Sequence, residues 1–437
     1  MKNNSYTVGL YTLGCKVSLY ETEAVAEAFA DAGFTVCPFE SVCDVYVINT
    51  CTVTAESDAK SRKYVRRAIK KNPEAKVIVI GCYSQRAPDD VAKIEGVSAV
   101  IGTADKLSAV KTAQRLLSGE QSPIVSVGSL DGAEFEQMCI RRASRTRAYV
   151  KIEDGCECKC TYCAISPARG PVRSKRPEHV ISEVEALYKG GTREIVLTGI
   201  ETGSYGADLG DCDLAQLICT LNERHSCERI RLGSMAPELL SEKFISRVGD
   251  LPILVAHFHV SMQSGADSVL RNMKRRYNRR MALDNIARIR EYMPRVMFTA
   301  DLMVGFPGES EEDFLDTVAF VREARLLDAH VFAYSRREGT PAADYPSQIP
   351  ESVKKDRSAR LSQVVREVRD EILSEVCRSG EPLPTVFEQR SGEYFVGHSD
   401  SYIEVKCISR SDVRGELLSV RPTHHADGVV YGEITSD

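Results

Sequence analysis

From residue 8 to residue 334, short apolar runs alternate with stretches of helical periodicity, and that alternation constrains the fold more than any other feature. Parallel strands need long crossovers, and a helix supplies one while covering a sheet face. The chain is therefore predicted to be α/β. Residues 8–13, 45–49 and 77–80 read as strands, with helical spacing over 21–30 and 55–71. A second run follows a connector at 118–146. Its strand candidates are 149–153, 194–198, 229–233, 258–262, 297–304 and 331–334, and its helical stretches are 178–189, 214–222, 237–248, 280–292 and 311–326. Six such strands suit an incomplete (β/α)6 barrel, whose chemistry lies at the C-terminal ends of the strands. After a long charged helix at 351–377 only short strands remain, at 385–388, 394–398, 402–408, 417–422 and 428–434, predicting a small β-barrel. The expected domains are 1–130 (parallel α/β), 140–375 (barrel) and 380–437 (small β-barrel).

The balance of 43% hydrophobic and 27% charged residues describes a globular chain. No apolar run approaches the ~18–20 residues of a membrane span. Residues 1–5 lead into a strand without an apolar leader, so a cytoplasmic protein with no membrane partner is expected. Net charge is −5, yet residues 140–177 hold ten Lys/Arg against three Asp/Glu. Arg271, Lys274, Arg275, Arg276, Arg279 and Arg280 form a second basic run. Either run alone suits a solvated face; two together favour a phosphate-bearing partner.

Fifteen cysteines are many for a reducing compartment, where clustered thiols signal metal or catalysis. Cys37, Cys43, Cys139, Cys212, Cys219, Cys227, Cys377 and Cys407 are scattered and read as small buried hydrophobes. Cys15, Cys51 and Cys82 each follow a predicted strand, and ligands of open α/β sheets bind beyond such strand ends. From position alone they are either one shared ligand set or three unrelated thiols. The strongest local pattern is Cys156-x3-Cys160-x2-Cys163, directly after the first barrel strand. Three thiolates on one loop hold three irons of a [4Fe–4S] cube and leave the fourth open. An open iron can chelate S-adenosylmethionine (SAM) through its amino and carboxylate groups, and electron transfer then cleaves the sulfonium to a 5′-deoxyadenosyl radical. Cys156, Cys160 and Cys163 are accordingly the candidate catalytic set. Zinc is the competing reading, since Cys158 makes four close thiols, although zinc sites usually add a distant second pair.

At these residues the chain resembles the radical SAM methylthiotransferases. Gly14-Cys15-Lys16-Val17 with Tyr20-Glu21-Thr22-Glu23, then Asn49-Thr50-Cys51-Thr52-Val53-Thr54, then Gly81-Cys82-Tyr83-Ser84-Gln85, are similar to the family's three N-terminal cysteine signatures. The barrel adds Leu197-Thr198-Gly199-Ile200, Ser261-Met262-Gln263-Ser264-Gly265, Met273-Lys274-Arg275-Arg276-Tyr277 and Val304-Gly305-Phe306-Pro307-Gly308-Glu309. Val331-Phe332-Ala333-Tyr334-Ser335 and Gly339-Thr340-Pro341-Ala342 complete the series. The C-terminal segment resembles the TRAM domain, an RNA-binding barrel, although residues 380–437 hold ten acidic against five basic side chains. Ser18 and Ala236 stand where relatives commonly carry Asn and Glu.

The resemblance implies a second [4Fe–4S] cluster on Cys15, Cys51 and Cys82. It also implies two uses of SAM, one to methylate a cluster-bound sulfur and one to generate the radical that activates a C–H bond. Thr198, Gly199 and Ile200 lie where the superfamily's SAM amino-group contact usually falls, with Gln263 a weaker SAM contact. His257 and His259 read as structural. Among subgroups, the chain resembles most the enzymes that 2-methylthiolate N6-threonylcarbamoyladenosine next to the anticodon of tRNA. Alternatives are isopentenyladenosine in tRNA, an aspartate of a ribosomal protein, or a non-enzymatic iron–sulfur RNA-binding module. The expected partners are a tRNA anticodon loop and an electron donor such as flavodoxin or ferredoxin. Arg169, Arg173, Arg336 and Arg337 are candidates for a cation facing the substrate's threonine carboxylate.

Overall fold

The computed structural model describes residues 6–435, so the leader expectation at residues 1–5 lies outside the described residues. The chain forms two compact units. Of the described residues, one comprises 6–140, 149–175 and 335–343; the other comprises 141–148, 176–334 and 344–435.

The first unit is built on a six-stranded parallel sheet. In chain order its elements are β1 (Thr7–Thr12), α1 (Lys16–Asp31), β2 (Thr35–Cys37), β3 (Val45–Thr50), α2 (Ala55–Lys71) and β4 (Lys76–Gly81). Then come α3 (Cys82–Arg86), α4 (Pro88–Ala92), β5 (Val97–Ile101), α5 (Ser108–Leu117) and β6 (Ile124–Ser126). The spatial order is β2-β1-β3-β4-β5-β6. Central strands β3 and β5 are buried throughout, which is why they read as unbroken apolar runs rather than alternating ones. Tyr46, Ile48, Val77, Val79 and Val100 pack one face of the sheet. α2 starts where the Thr54 side chain accepts the Ser57 amide, with Glu56 and Asp58 in its first turn and Lys70 and Lys71 in its last. The predicted connector at 118–146 contains β6, a three-residue edge strand paired with β5.

After β7 (Arg147–Lys151), a short antiparallel pair, β8 (Glu153–Asp154) with β9 (Arg173–Ser174), closes the cysteine loop at its base. A single turn of helix, α6 (Ile165–Arg169), lies between them.

The second unit continues the alternation with α7 (Pro177–Lys189), β10 (Glu194–Thr198), α8 (Leu214–Glu223), β11 (Arg229–Leu232), β12 (Ser234–Met235) and α9 (Glu242–Val248). It goes on through β13 (His257–Gln263), α10 (Asp267–Asn272), α11 (Arg279–Tyr292), β14 (Met297–Val304), α12 (Glu311–Glu323) and β15 (Asp328–Ala333). β10 pairs in parallel with β11, and β12, β13, β14 and β15 form a parallel sheet in that order. The helix expected over 237–248 is split, because Pro237–Leu239 forms a 3-10 turn and α9 begins only after Ser241. α12 starts with a reciprocal capping box between Ser310 and Asp313. The long α13 (Glu351–Ser379) ends at Gly380, whose φ of +65° suits the left-handed position after a helix. β16 (Leu383–Ser391), β17 (Tyr394–Ser399), β18 (Glu404–Ile408), β19 (Leu417–Ala426) and β20 (Val429–Ile434) then close a barrel in the order β16-β17-β18-β20-β19. Among the described residues no helix is long and apolar enough to cross a membrane.

Candidate cluster-binding site

Because β1, β3 and β4 run parallel and adjacent, their C-terminal ends share one edge of the sheet. Cys15 caps the N-terminus of α1, Cys51 follows β3, and Cys82 opens α3. The topology thus places all three signature cysteines at one edge. A Cβ added to Gly14 would lie 3.2 Å from the Cys51 Cβ and 3.4 Å from its Sγ, so the turn bearing Cys15 approaches Cys51 closely. Burial pushes the Cys82 thiol up to about 11, opposed by the Arg169 guanidinium and reinforced by Glu21, Cys15 and Cys51. Burial likewise raises the Cys51 thiol. Cys51 and Cys82 are buried and Cys15 is exposed, and three soft sulfur donors along one sheet edge suit an iron–sulfur cluster. An N–H donor is already aimed at one of them, since Arg169 Nε donates to Cys82 Sγ at 3.1 Å.

The second cysteine set is shaped by its loop. Gly155, at φ +100°, admits no side chain, because a Cβ there would fall 2.0 Å from the Pro171 carbonyl oxygen. Lys159 also takes a left-handed φ, +47°. The Cys156 amide donates to Gly170 O at 3.0 Å and the Cys163 amide to Cys160 O at 3.0 Å. Ser166 Oγ donates to Cys156 O at 2.7 Å, and the Ile165 amide donates to Cys163 Sγ at 3.3 Å. Cys160 is buried, whereas Cys156, Cys158 and Cys163 are half-buried. No disulfide occurs among the described residues. Nor, among them, do three His, Cys, Asp or Glu side chains gather tightly enough for a single metal ion. Thiolates of a four-iron cube bind different irons and stand further apart than the ligands of one ion.

A buried ionic network lies behind both cysteine sets. Glu21 of α1 pairs with Arg169 (2.5 Å), Lys151 (2.8 Å) and Lys106 (3.1 Å). Asp154 pairs with Lys151 (2.6 Å), Arg169 (3.2 Å) and Arg173 (3.5 Å). Burial works to raise the Glu21 carboxyl, but Arg169, Lys106 and Lys151 hold it well below the usual carboxylate range. Asp154 is held at about 2, with Arg169 and Lys151 overcoming burial. The segment at 335–343 joins this unit through Arg337, which donates to Thr52 Oγ1 (2.8 Å) and Asp58 Oδ2 (2.7 Å). The Ala342 amide donates to Thr161 O at 2.9 Å within the cysteine loop.

These pairs correct the expected cation for a substrate carboxylate. Arg169, Arg173 and Arg337 are all buried against acids of the chain, since an interior guanidinium must be paired to be tolerated. Arg336 is the exposed member of the four. Likewise Lys151, Arg169, Arg173 and Lys175 are buried, so the basic run at 140–177 is partly internal; Arg141, Arg142, Arg145, Lys159 and Arg176 are exposed.

In the second unit, Thr198 is buried at the end of β10, with Gly199 and Ile200 half-buried beyond it. Gln263 ends β13 with φ +66°, beside an irregularity in the β13–β14 register. Backbone strain in a side-chain-bearing residue at a strand end is characteristic of functional positions. Tyr277 Oη donates to Ser261 O and Met262 O (2.8 and 2.7 Å), so the Arg-Arg-Tyr motif braces that same strand end. No sequence motif marks Glu201, a buried carboxylate whose Oε1 accepts the Ala236 amide at 3.0 Å. Nor does one mark Asp301, which pairs with His259 at 3.2 Å and His330 at 3.5 Å. His257 packs flat on Tyr402 and meets Thr299 Oγ1 at 2.9 Å, consistent with a structural histidine.

Residues 150–321 match the Radical SAM superfamily, and residues 7–102 match Uncharacterized protein family UPF0004. A solved radical SAM methyltransferase, TsrM from Kitasatospora setae with cobalamin and a [4Fe-4S] cluster bound, aligns with a TM-score of 0.58. The two share 15% identity, and the alignment covers 78% of this chain and 77% of that one, a likeness of fold. Fold and cysteine loop thus define a radical SAM enzyme. The threonylcarbamoyladenosine tRNA methylthiotransferase MtaB of Bacillus subtilis is 39% identical, covering 95% of this chain and 93% of the relative. MtaB of Thermotoga maritima is 36% identical, covering 83% and 82%. The tRNA-2-methylthio-N(6)-dimethylallyladenosine synthase of a Nocardioides species is 34% identical, covering 83% and 74%. The chain belongs to the radical SAM methylthiotransferase family, whose cofactors are SAM and [4Fe–4S] clusters.

Proposed function

We propose that this enzyme converts N6-threonylcarbamoyladenosine next to the anticodon of tRNA to its 2-methylthio derivative. The observation that carries the reading is the 39% identity to an MtaB over nearly the whole chain, joined to two three-cysteine sets in one compact unit. Cys156, Cys160 and Cys163 would hold the SAM-cleaving cluster, and Cys15, Cys51 and Cys82 the auxiliary one. When bound, SAM and these clusters together would supply a 5′-deoxyadenosyl radical to activate C2 of the base and a methylthio group to place there. The residue pair Thr198-Gly199 with Ile200, and Gln263, would orient SAM at the strand ends. Exposed Arg271, Lys274, Arg276 and Arg280 offer phosphate contacts, and exposed Arg336 offers a cation to the substrate carboxylate. On the C-terminal barrel, His424 stacks on Tyr431 with ring centres 4.9 Å apart, Tyr394 meets Tyr431 edge-on, and Lys406 lies over the same ring. An aromatic and cationic face of this kind binds unstacked bases and reconciles RNA contact with the domain's acidic balance. The electron would come from a flavodoxin or ferredoxin, and the cytoplasm is the compartment that holds both partners.

The test offers the anaerobically reconstituted enzyme tRNA bearing threonylcarbamoyladenosine, tRNA bearing isopentenyladenosine, and the ribosomal protein. Mass spectrometry should find the methylthio group on the first. Product on either of the others with none on the first overturns the substrate assignment.

A further inference from the structure

Arg169 is fully buried at the end of α6, and its guanidinium serves three partners at once. Nη1 and Nη2 donate to the two Glu21 oxygens at 2.5 and 3.2 Å. Nη1 also donates to both Asp154 oxygens at 3.2 Å. Nε donates to Cys82 Sγ at 3.1 Å. Glu21 lies on the helix that Cys15 caps, and Asp154 lies two residues before Cys156. One side chain therefore joins the Cys82 sulfur, the helix behind Cys15 and the base of the Cys156–Cys163 loop.

A guanidinium that merely balanced two carboxylates would need only its terminal nitrogens. The Nε–H aimed at sulfur is an additional feature, and its chemistry is specific. Hydrogen bonds to ligand sulfur and a fixed positive charge favour the more negative, reduced form of an iron–sulfur cluster. Arginine keeps its charge at any working pH, so the effect is permanent.

We propose that Arg169 is a positioning residue for the auxiliary cluster: it fixes the Cys82 sulfur and raises that cluster's reduction potential. This rests on Cys15, Cys51 and Cys82 being the auxiliary ligands. The test uses the full-length protein, anaerobically reconstituted, as wild type, Arg169→Lys and Arg169→Gln. Iron content and potentiometric titrations followed by electron paramagnetic resonance are measured on each. Arg169→Gln should lower the reduced-to-oxidised ratio of the auxiliary cluster about tenfold at fixed potential, a shift of roughly 59 mV for one electron. The midpoint of the SAM-binding cluster should move much less. Arg169→Lys retains a cation for Glu21 and Asp154 but has no Nε–H, so it should fold even where the Gln variant does not and give a partial shift. An unmoved auxiliary midpoint in both variants, or in the Lys variant where only that one folds, overturns the proposal. Wild-type protein that binds only about four irons would remove the two-cluster reading and the proposal together, whereas about eight irons with an unmoved midpoint removes the proposal alone.

Discussion

Asn49 Nδ2 donates to the Ser18 carbonyl oxygen at 2.9 Å and to Thr22 Oγ1 at 3.1 Å. Asn49 lies in β3 two residues before Cys51, and Ser18 lies in α1 three residues after Cys15, so one amide sets the spacing of two cysteine-bearing turns. The third turn is fitted against the same side chain. Gly81 has φ +97°, and a Cβ there would sit 2.3 Å from Asn49 Oδ1 and 2.8 Å from Thr50 O. Asn49→Ala removes both donations and should cost on the order of 1–3 kcal/mol, concentrated at this edge. Reconstituted protein should lose part of its auxiliary iron yet still form 5′-deoxyadenosine. Iron analysis giving the wild-type content would show that the turns hold their spacing without Asn49.

Substitution of the two cysteine sets should separate two functions. Wild type should bind about eight irons with matching sulfide. Changing Cys156, Cys160 and Cys163 to Ala should halve the iron and abolish SAM cleavage. Changing Cys15, Cys51 and Cys82 should halve the iron and leave SAM cleavage measurable. Cys158→Ala should leave iron content nearly unchanged, and a large loss would point to a different ligand set.

Much of this was legible because buried parallel strands are continuous apolar runs. The apolar runs at 194–198 and 297–304 coincide with β10 and β14, and the helical spacing at 55–71 coincides with α2, whose ends Thr54 and the terminal lysines mark. β6 was not legible, since three residues with two exposed carry no pattern. Nor was the split at residues 237–241, because Pro is tolerated in a first helical turn and gives no warning of a break two residues on. The cysteines announced themselves by position after strands, but the ionic network behind them could not. Lys151, Arg169 and Arg173 look like ordinary surface charges until Glu21 and Asp154 are brought to them by the fold. Glu21 sits inside a quoted motif, yet its role depends on partners 85 to 148 residues away.

The C-terminal barrel should contribute base stacking. Tyr431→Ala removes the ring that His424 and Tyr394 contact, and stacking is worth about 1–3 kcal/mol per base. Affinity for tRNA should therefore fall roughly tenfold or more, with unchanged 5′-deoxyadenosine formation in the absence of tRNA. Affinity in both proteins should fall steeply with salt through the phosphate contacts. Filter binding across a salt series measures both, and equal affinity of variant and wild type would exclude the ring face as a contact.

Acid stability should depend on Glu194. Burial acts to raise its carboxyl, but Arg231 (2.7 Å), Arg229 (3.0 Å) and Arg147 bring it from 4.5 to about 2. A carboxyl depressed in the folded state contributes stability above its unfolded value and loses it as pH falls toward the folded one. The window is therefore about pH 4.5 to 2, and the contribution is on the order of 3 kcal/mol. Glu194→Gln should be less stable than wild type at neutral pH, and the difference should shrink through that window. Circular dichroism melts at several pH values would reveal a constant difference if the carboxylate did not titrate there.

Glu201 should support SAM at the end of β10. Ala236 presents only a methyl group where the sequence resemblance leads one to expect an acid, and its amide is bound instead by Glu201 Oε1 at 3.0 Å. The carboxylate is buried three residues beyond Thr198, held by backbone at a strand end where cofactors bind in this class of fold. A fixed anion there is suited to a cationic donor such as the SAM amino group, and a hydrogen bond to a charged partner is worth about 1.5–3 kcal/mol. Glu201→Gln can still accept from the Ala236 amide but has no charge, so it should weaken SAM binding about ten- to a hundredfold while melting near the wild-type temperature. Glu201→Ala loses both roles and should be weaker in binding and lower in melting temperature. Equilibrium dialysis of SAM against the reconstituted proteins decides the point. Wild-type affinity in the Gln variant, with loss only in the Ala variant, would confine Glu201 to holding the Ala236 backbone.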